Sequence, residues 1–385
     1  MNLSYSLLFK VILLIWLISI PFKNAVYQIS TALIVLNFII YLYIFKDYSS
    51  VKKILKKYKV LIFIMFGIFF IMVISNLYNQ VNSDSWKLTF YYFYRYGLIF
   101  FILIYFYLKD FFQKKTLIIF ILISFGIQAI DGVYQSIFNY DIFNHTYGNL
   151  FTNGLSGATS NRNIFGFFMG IGFLLSLFCS KNFKIFYLFS LVYMFNVLFA
   201  YSRSIWVSLA ISLLFYGILI IKSIDIKKII VIIAFILLVL MIFFNIESLS
   251  NRFDQLLSLD SSNRTTIWLN SLPIIADNSI IGSGVNSGFL YQNQLEHYSV
   301  HNQTLEILVD LGIVGLIGFL SLLLVIIYEI YKFKDLYLGC ILVYFLINSN
   351  FGESIISSKT MLSTLTVFMF FVFVNRLNLT KDHCK

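Results

Sequence analysis

The sequence predicts an all-α polytopic integral membrane protein with about twelve transmembrane helices and one large periplasmic loop that carries short helices. Of the 385 residues, 60% are hydrophobic and 19% aromatic. The mean hydropathy of +0.87 lies far outside the range of soluble domains. Apolar runs of about 20 residues, each long enough to cross a bilayer core, recur along the chain. They lie near residues 5–22, 25–45, 60–77, 89–108, 116–135, 163–180, 185–202, 204–221, 229–246, 304–330, 336–350 and 360–375.

Basic residues follow every even-numbered span and thereby give the orientation. Loops rich in lysine and arginine stay in the cytoplasm, so both termini are expected there. The basic residues concerned are Lys46, Lys52, Lys53, Lys56, Lys57, Lys59, Lys109, Lys114, Lys115, Lys181, Lys184, Lys222, Lys227, Lys228, Lys332, Lys334, Arg376, Lys381 and Lys385.

The formal net charge of +11 is therefore mostly lysine that sets topology and contacts membrane lipids. No basic patch falls on a soluble domain, so nucleic acid is not an expected partner. The three cysteines show neither a disulfide framework nor metal-ligand spacing. The motifs HExxH, CxxC, the P-loop and GxSxG are all missing from the sequence. We therefore expect a reaction that needs no metal, nucleotide or other cofactor.

Two outward-facing stretches are long enough to carry function. Residues 139–163 are rich in Gly, Asn, Ser and Thr and are predicted to form a loop. Residues 247–303 are expected to form the periplasmic loop between the ninth and tenth spans of a single membrane domain, 1–385. Here Ser262 or Asn263 is the predicted N-cap of a short amphipathic helix at the membrane interface, with Arg264 in its first turn. The segment GSGVNSG, 282–288, predicts a glycine loop.

The tenth span begins with HNQTLEILVDLGIVGLIGFL. Asn302, Glu306 and Asp310 are spaced i, i+4, i+8 and form one polar stripe near the start of the helix. His301 lies at the helix start, where most histidines are structural. Beside this stripe, however, an imidazole with a pKa near neutrality can act as a general base. Three glycines that follow predict close helix packing: Gly312, Gly315 and Gly318.

Arginine is distributed against the topology rule. Five of the six arginines lie at or near outward ends of apolar segments, and Arg376 alone lies at the opposite face. The guanidinium group is a planar, permanently charged fork that binds phosphate or carboxylate, which indicates anion recognition on the outward side. The five outward residues are Arg95, Arg162, Arg203, Arg252 and Arg264.

Each arginine also has a simpler interpretation. Arg203, in a tight turn between two spans, can be an interfacial residue that reaches lipid phosphates. Arg264 can be an ordinary polar residue of an amphipathic helix, and Arg162 and Arg252 can be solvated or structural. Arg95 lies within a span, where a charge is costly and often functional. Its alternative is a structural ion pair with Asp131 of the fifth span.

Four segments resemble the O-antigen ligase and polymerase superfamily of bacterial envelope glycosyltransferases, which use undecaprenyl-diphosphate-linked glycans. They are SNRNIFGFFMG, YSRSIW, NRTTIWLNSLPIIADNSIIGSGVNSG and HNQTLEILVDLGIVGLIGF, within about 150–320. The resemblance implies that Arg203 and Arg264 hold the lipid diphosphate and that His301 acts on the acceptor hydroxyl. Arg95, Arg162, Asn302 and Glu306 are the further substrate-binding candidates. Family members often have proline before the asparagine of the first segment, where this chain has Arg162, which puts the role of that loop in doubt.

The resemblance implies an O-antigen ligase in the bacterial inner membrane, with its active site on the periplasmic face. Such an enzyme transfers a glycan from undecaprenyl diphosphate to lipid A–core, without a metal and with inversion. The first alternative is the polymerase of the same superfamily, which shares the donor and differs in the acceptor. A polysaccharide or lipid transporter is the second alternative. The outward clustering of charges disfavours it, because transporters place such residues near the midplane.

Overall fold

The computed structural model describes residues 2–22, 25–150, 153–180, 183–220, 241, 245–258, 263–287, 291, 299–352, 354 and 358–381. Over these residues the chain is helical and contains no β-strand, which confirms the predicted all-α class. The α-helices in these ranges are α1 Asn2–Ser19, α2 Ala25–Phe45, α3 Tyr48–Lys57, α4 Lys59–Tyr78, α5 Ser83–Tyr91, α6 Ile99–Leu108, α7 Lys114–Phe138, α8 Arg162–Cys179, α9 Ile185–Phe199, α10 Arg203–Ile220, α11 Glu247–Leu257, α12 Arg264–Asp277, α13 Gln303–Phe333, α14 Leu336–Phe351 and α15 Lys359–Lys381.

Eight segments of the described chain are long and apolar enough to cross a membrane: Ser4–Phe22, Ala25–Phe45, Lys59–Tyr78, Ser83–Leu108, Lys114–Phe138, Arg162–Cys179, Arg203–Ile220 and Gln303–Phe333. Three shorter apolar helices are Ile185–Phe199, Leu336–Phe351 and Met361–Leu377. These eight and three segments coincide with all the predicted spans except the ninth. A count of twelve spans stays a prediction.

Some of the sequence-based predictions lie outside the described residues. They are the ninth span at 229–246 apart from residues 241, 245 and 246, the alternative N-cap Ser262, the end of the glycine loop at Gly288, and the basic residues Lys181, Lys222, Lys227, Lys228 and Lys385.

The surface of these helices is strongly apolar. Phe63, Ile218 and Tyr331 are exposed by 79%, 70% and 80% of their surfaces. Soluble proteins rarely leave so many large apolar side chains in water, so these positions are suited to contact with lipid. Backbone groups in such a setting need protein partners, and helices supply those partners within one segment.

The chain forms two compact units. The first comprises Met1–Phe120, Asn263–Leu338 and Glu353–Lys385, and the second comprises Ile121–Ser262 and Gly339–Gly352. The single membrane domain 1–385, with 247–303 as its periplasmic loop, stays a prediction.

The first unit contains a buried ion pair between α13 and α15. Arg376 Nε donates to Glu329 Oε2 at 2.6 Å, and Arg376 Nη2 donates to Glu329 Oε1. The Glu329 side chain is completely buried. The Tyr58 ring lies 5.9 Å from the guanidinium carbon, and the Tyr58 hydroxyl donates to the Phe373 carbonyl. Arg376, the arginine predicted at the opposite face from the others, therefore has a structural partner.

The second unit is packed around glycines of α8. A Cβ at Gly172 would lie 2.6 Å from the Tyr193 ring of α9, and one at Gly170 would overlap the Tyr344 hydroxyl of α14. That hydroxyl donates to the Phe167 carbonyl at 3.1 Å. Small residues let these helices approach closely enough for tyrosine rings to cover the backbone.

Two helical segments of the first unit depart from regular α-geometry. Residues Tyr92–Leu98 form a π-helical turn between α5 and α6. Gly312, with φ 62° and ψ −162°, divides α13 into 303–311 and 313–333. Gly312 was expected to allow close packing between helices, and the structure instead places it at a break in α13 against the backbone of Ile280. Gly318 does pack closely: a Cβ there would lie 3.1 Å from Ile68 of α4.

Candidate active site

In the second unit, Arg203 begins α10 directly after the turn that ends α9. Tyr201 takes a left-handed conformation in this turn, with φ 52°. Arg203 Nη1 donates to the Gln255 carbonyl at 2.8 Å, and Arg252 Nη1 donates to the Gln255 side-chain oxygen at 2.6 Å. The start of α10 and the helix α11 thus bring two guanidinium groups to one glutamine.

Arg162 begins α8 and lies near the same turn. The Asn161 side chain caps α8 by accepting from the N–H groups of Asn163 and Ile164 at 2.8 and 3.2 Å. The Ser202 hydroxyl then donates to Asn163 Oδ1 at 2.9 Å. The structure therefore joins the first turns of the helices that carry Arg162 and Arg203.

The loop near 139–163, which its composition predicts, is held by side-chain hydrogen bonds over its described residues. Gln135 of α7 accepts from the N–H groups of Ser156 and Gly157 at 2.9 and 3.0 Å and donates to the Thr146 carbonyl at 2.9 Å. The Leu155 N–H donates to the Phe199 carbonyl at 2.7 Å, which places the loop against the end of α9.

In the first unit, Arg264 is the first residue of α12. Asn263 precedes it with φ 65° and is the N-cap residue, as one of the two alternatives predicted, although its side chain makes no capping bond. The buried side of α12 comprises Ile267, Ser271 and Ile274, with Trp268 at its margin. The Trp268 indole donates to the Val300 carbonyl at 3.0 Å, and Ile267 and Ile274 pack with Val300 and Val309. The Arg264 helix is thereby fixed to the chain on both sides of His301.

His301 lies immediately before α13 in a left-handed conformation with φ 53°. Its N–H donates to the Ser299 hydroxyl at 3.3 Å. That hydroxyl in turn makes a long contact of 3.5 Å with a carboxylate oxygen of Glu306, a buried residue. Asn302 caps α13 by accepting from the Leu305 N–H at 3.0 Å. The backbone turn at His301 is therefore held by three neighbouring polar side chains.

The stripe predicted for Asn302, Glu306 and Asp310 is confirmed. Asn302 is the N-cap residue of α13, and Glu306 and Asp310 lie in the first part of this helix and are buried. Each side chain accepts hydrogen bonds from the preceding loop or from the helix start. The glycine segment is also confirmed over its described part, where Gly282 and Gly284 have positive φ values.

Arg95 lies in the π-helical turn and is 1% exposed. Its guanidinium carbon is 4.7, 4.1 and 5.5 Å from the ring centroids of Tyr27, Tyr91 and Tyr94, and Nε donates to the Tyr94 hydroxyl at 3.1 Å. Aromatic faces therefore stabilise its charge inside the first unit. The alternative ion pair with Asp131 joins residues of different units and stays a prediction.

Residues 186–320 match the family model described as O-antigen ligase. This match supports the resemblance of the chain to the O-antigen ligase and polymerase superfamily. Members of this family are membrane enzymes of the glycosyltransferase type. No curated protein sequence matches the chain.

The segment that matches the O-antigen ligase family contains five of the predicted site residues: Arg203, Arg264, His301, Asn302 and Glu306. Arg95 and Arg162 precede it. By unit, Arg162 and Arg203 belong to the second, whereas Arg95, Arg264, His301, Asn302 and Glu306 belong to the first.

Across the described residues, no group of three or more His, Cys, Asp or Glu side chains is placed to hold a metal ion. A reaction without a metal stays a prediction.

The polar end of α4 was not predicted to be important, but Ser75, Asn76 and Asn79 there all bond to the segment around 282–285 or to α13. The signal for them was three polar residues close together at the end of a strongly apolar span. Glu329, an isolated acidic residue inside an apolar run, was not predicted either.

Proposed function

We propose that this protein is an O-antigen ligase that transfers a preassembled glycan from undecaprenyl diphosphate to lipid A–core. The observation that carries the proposal is the family match over 186–320, because that segment contains Arg203, Arg264 and His301 together. Arg203 begins one apolar segment and His301 lies just before another, and Arg264 begins the shorter helix α12. A charged or polar group in such a position can meet the head group of a lipid-linked substrate while the lipid tail stays among apolar side chains.

Arg203 and Arg264 are proposed to bind the diphosphate of the donor. During transfer the acceptor oxygen forms a bond to the anomeric carbon, and the bond from that carbon to the diphosphate oxygen breaks. Negative charge then grows on the departing undecaprenyl diphosphate, and fixed guanidinium groups stabilise that charge. Two arginines supply this without a metal ion.

His301 is proposed as the general base. A neutral imidazole within hydrogen-bond reach of the acceptor hydroxyl takes its proton as the new glycosidic bond forms. Attack from the face opposite the leaving group inverts the anomeric centre. The hydrogen bonds at Ser299 and Asn302 support this role because they fix the backbone on both sides of the imidazole.

Arg162, Arg95, Asn302 and Glu306 are proposed to bind further parts of the substrate. The contact between Ser202 and Asn163 supports Arg162, because it ties the Arg162 helix to the Arg203 turn. Arg95 would act only after a displacement of the tyrosines that surround it.

We further propose the topology in which this reaction takes place. The chain crosses the bacterial inner membrane about twelve times, with both termini in the cytoplasm and residues 247–303 in the periplasm. The distribution of lysine supports this orientation. The partners are the lipid-linked donor, the lipid A–core acceptor and membrane lipids, and no cofactor takes part.

Deleting the gene and examining surface lipopolysaccharide and lipid-linked glycan together tests the proposal. Bare lipid A–core with long polymer accumulating on undecaprenyl diphosphate is the expected result. A core that carries a single repeat unit would instead make the protein the polymerase, as would a host without an outer membrane. An unchanged profile would reject both enzymes and favour a transporter. Complementation with His301→Ala and Arg203→Ala variants that insert normally should fail, and full rescue would reject the proposed residues.

A further inference from the structure

The break in α13 at Gly312 leaves backbone groups without partners inside the helix, and the segment 279–284 supplies them. The N–H groups of Ile313 and Val314 donate to the carbonyls of Ser279 and Ile280 at 2.8 and 3.2 Å. In the opposite direction, the N–H groups of Ser283 and Gly284 donate to the carbonyls of Val309 and Asp310 at 2.8 and 3.0 Å. Four backbone bonds therefore connect the segment after α12 with both halves of α13.

Only glycine fits at the centre of this exchange. A Cβ at Gly312 would overlap the Ile280 carbonyl, and a Cβ at Gly282 would overlap the backbone of Asp310 and Leu311. Both glycines have positive φ values, 62° and 77°. The two backbones thus approach more closely than any side chain permits.

The Asp310 carboxylate binds the next part of the same segment. It accepts from the Asn286 N–H at 2.8 Å, from the Ser287 N–H at 3.1 Å and from the Ser287 hydroxyl at 2.9 Å, and the residue is 4% exposed. Hydrogen bonds to a buried carboxylate are stronger than those between neutral groups. Asp310 is therefore the main side-chain attachment between α13 and residues 286–287.

Polar residues at the end of α4 bond to the same segment and to α13. Ser75 donates to the Asp310 carbonyl at 2.9 Å, Asn79 donates to the Gly282 carbonyl at 2.9 Å, and Asn76 accepts from the Val285 N–H at 2.8 Å. The segment 279–287 is thus held between α4 and the break in α13. Arg264 begins the helix that leads into this segment, and His301 precedes the half-helix that carries Asp310.

We propose that Asp310 is a positioning residue that sets the distance between Arg264 and His301 by holding the segment 279–287 in the break of α13. It does not touch the substrate. Hydrophobic contacts with Val300 and Val309 hold α12 itself, and Asp310 and Gly312 hold the segment 279–287 that follows it. The inference rests on the proposed function only for the roles of Arg264 and His301.

Asp310→Asn tests the role of the carboxylate with little change in size. The amide keeps one acceptor oxygen but directs an NH₂ group at N–H donors, so the attachment weakens. We expect turnover to fall about 10- to 100-fold, because a displacement of about 1 Å at a reacting group has that effect. The KM for the lipid-linked donor should change by less than about threefold, since donor binding does not require His301 to be in place.

A distance measurement tests the same idea without the reaction. Spin labels at Leu269 of α12 and Thr304 of α13, both exposed, are introduced into a variant whose native cysteines are replaced by alanine. Pulsed electron paramagnetic resonance should give a narrow distance distribution for Asp310 and a broader or shifted one for Asp310→Asn. An unchanged distribution, or full turnover of Asp310→Asn, overturns the proposal.

Two further variants keep the test decisive if Asp310→Asn fails to fold. Ser287→Ala removes one of the three donors and should lower turnover about two- to fivefold with a smaller change in the distance distribution. Ser321→Ala, a control, removes an exposed hydroxyl that bonds within α13 beyond the break and should change neither quantity. A Ser287→Ala protein that behaves like the control contradicts the proposal. If no variant, including the wild type, transfers glycan but the distances respond as expected, the proposed function fails and the positioning inference stands.

Discussion

Removing one charge of the Glu329–Arg376 pair is expected to destabilise the first unit. Arg376→Gln leaves a carboxylate whose side chain is completely buried without its cation, whereas the Arg376 side chain is 21% exposed. Breaking a buried ion pair from one side costs about 3–5 kcal/mol, because the remaining charge keeps its desolvation penalty. At roughly 2 °C for each kcal/mol in a chain of this size, the apparent Tm should fall by about 6–10 °C.

The assay is thermal unfolding in one detergent, followed by tryptophan fluorescence, for Arg376→Gln, Glu329→Gln and the double variant. The double variant should be more stable than the sum of the single losses implies, because it leaves no buried charge unpaired. Asp84→Asn is the matched control. It breaks the Lys87–Asp84 pair, whose side chains are 61% and 69% exposed, and should leave the Tm unchanged.

Two results would refute this reasoning. A Tm of Arg376→Gln within about 1 °C of the wild type would mean that the pair contributes no net stability. Single losses that simply add in the double variant would mean that Glu329 and Arg376 act independently, despite their bidentate contact.

Three other predictions concern separate parts of the molecule. Burial raises the pKa of Asp47, but hydrogen bonds from its neighbours, Lys109 foremost, outweigh this effect. They lower the pKa to about 2 from its usual 3.8. Asp47→Asn should therefore lower the free energy of unfolding by about 1–2 kcal/mol at neutral pH. The difference in unfolding free energy between the wild type and Asp47→Asn should be fully present above about pH 4 and should vanish as the pH falls through about 2. A difference that persists at lower pH would contradict this prediction. Arg264→Lys keeps the charge but loses the planar fork, so glycan transfer should fall about tenfold or more, and full activity would show that bidentate geometry is unnecessary. Gly172→Ala should lower the unfolding free energy by about 1–3 kcal/mol because its methyl group meets the Tyr193 ring, whereas Gly217→Ala, with no atom within 4 Å, should not.

Sequence patterns predicted the features that depend on neighbouring residues. The apolar runs gave the helices, and capping residues with helical spacing gave α12 and the stripe from Asn302 to Asp310. The turn before Arg203 followed from two adjacent spans. These features arise within a few residues of chain, where periodicity and capping act.

Features that depend on distant partners did not follow from the sequence. Gly312 was predicted to allow close helix packing, and nothing local shows that the helix breaks there and that residues 279–284 supply the missing backbone partners. Asn76 and Val285 bond across 209 positions of the chain, and Glu329 and Arg376 across 47. A polar residue in an apolar span signals that a partner exists, but the partner is fixed by the packing of whole helices.

The π-helical turn at Tyr92–Leu98 acts on the helical register like an inserted residue. One residue corresponds to a rotation of about 100° around the helix axis. Deleting one residue from this turn would restore a continuous α-helix and rotate α5 by that angle relative to α6. Thr89, which accepts from the Asn76 amide at 2.9 Å, would leave that bond, and Asn76 is the residue that holds Val285. A deletion in this turn would therefore disturb residues 279–287 through two hydrogen bonds, although those residues are distant in sequence. The turn at 92–98 thus determines the rotation of α5 at which Thr89 can bond to Asn76.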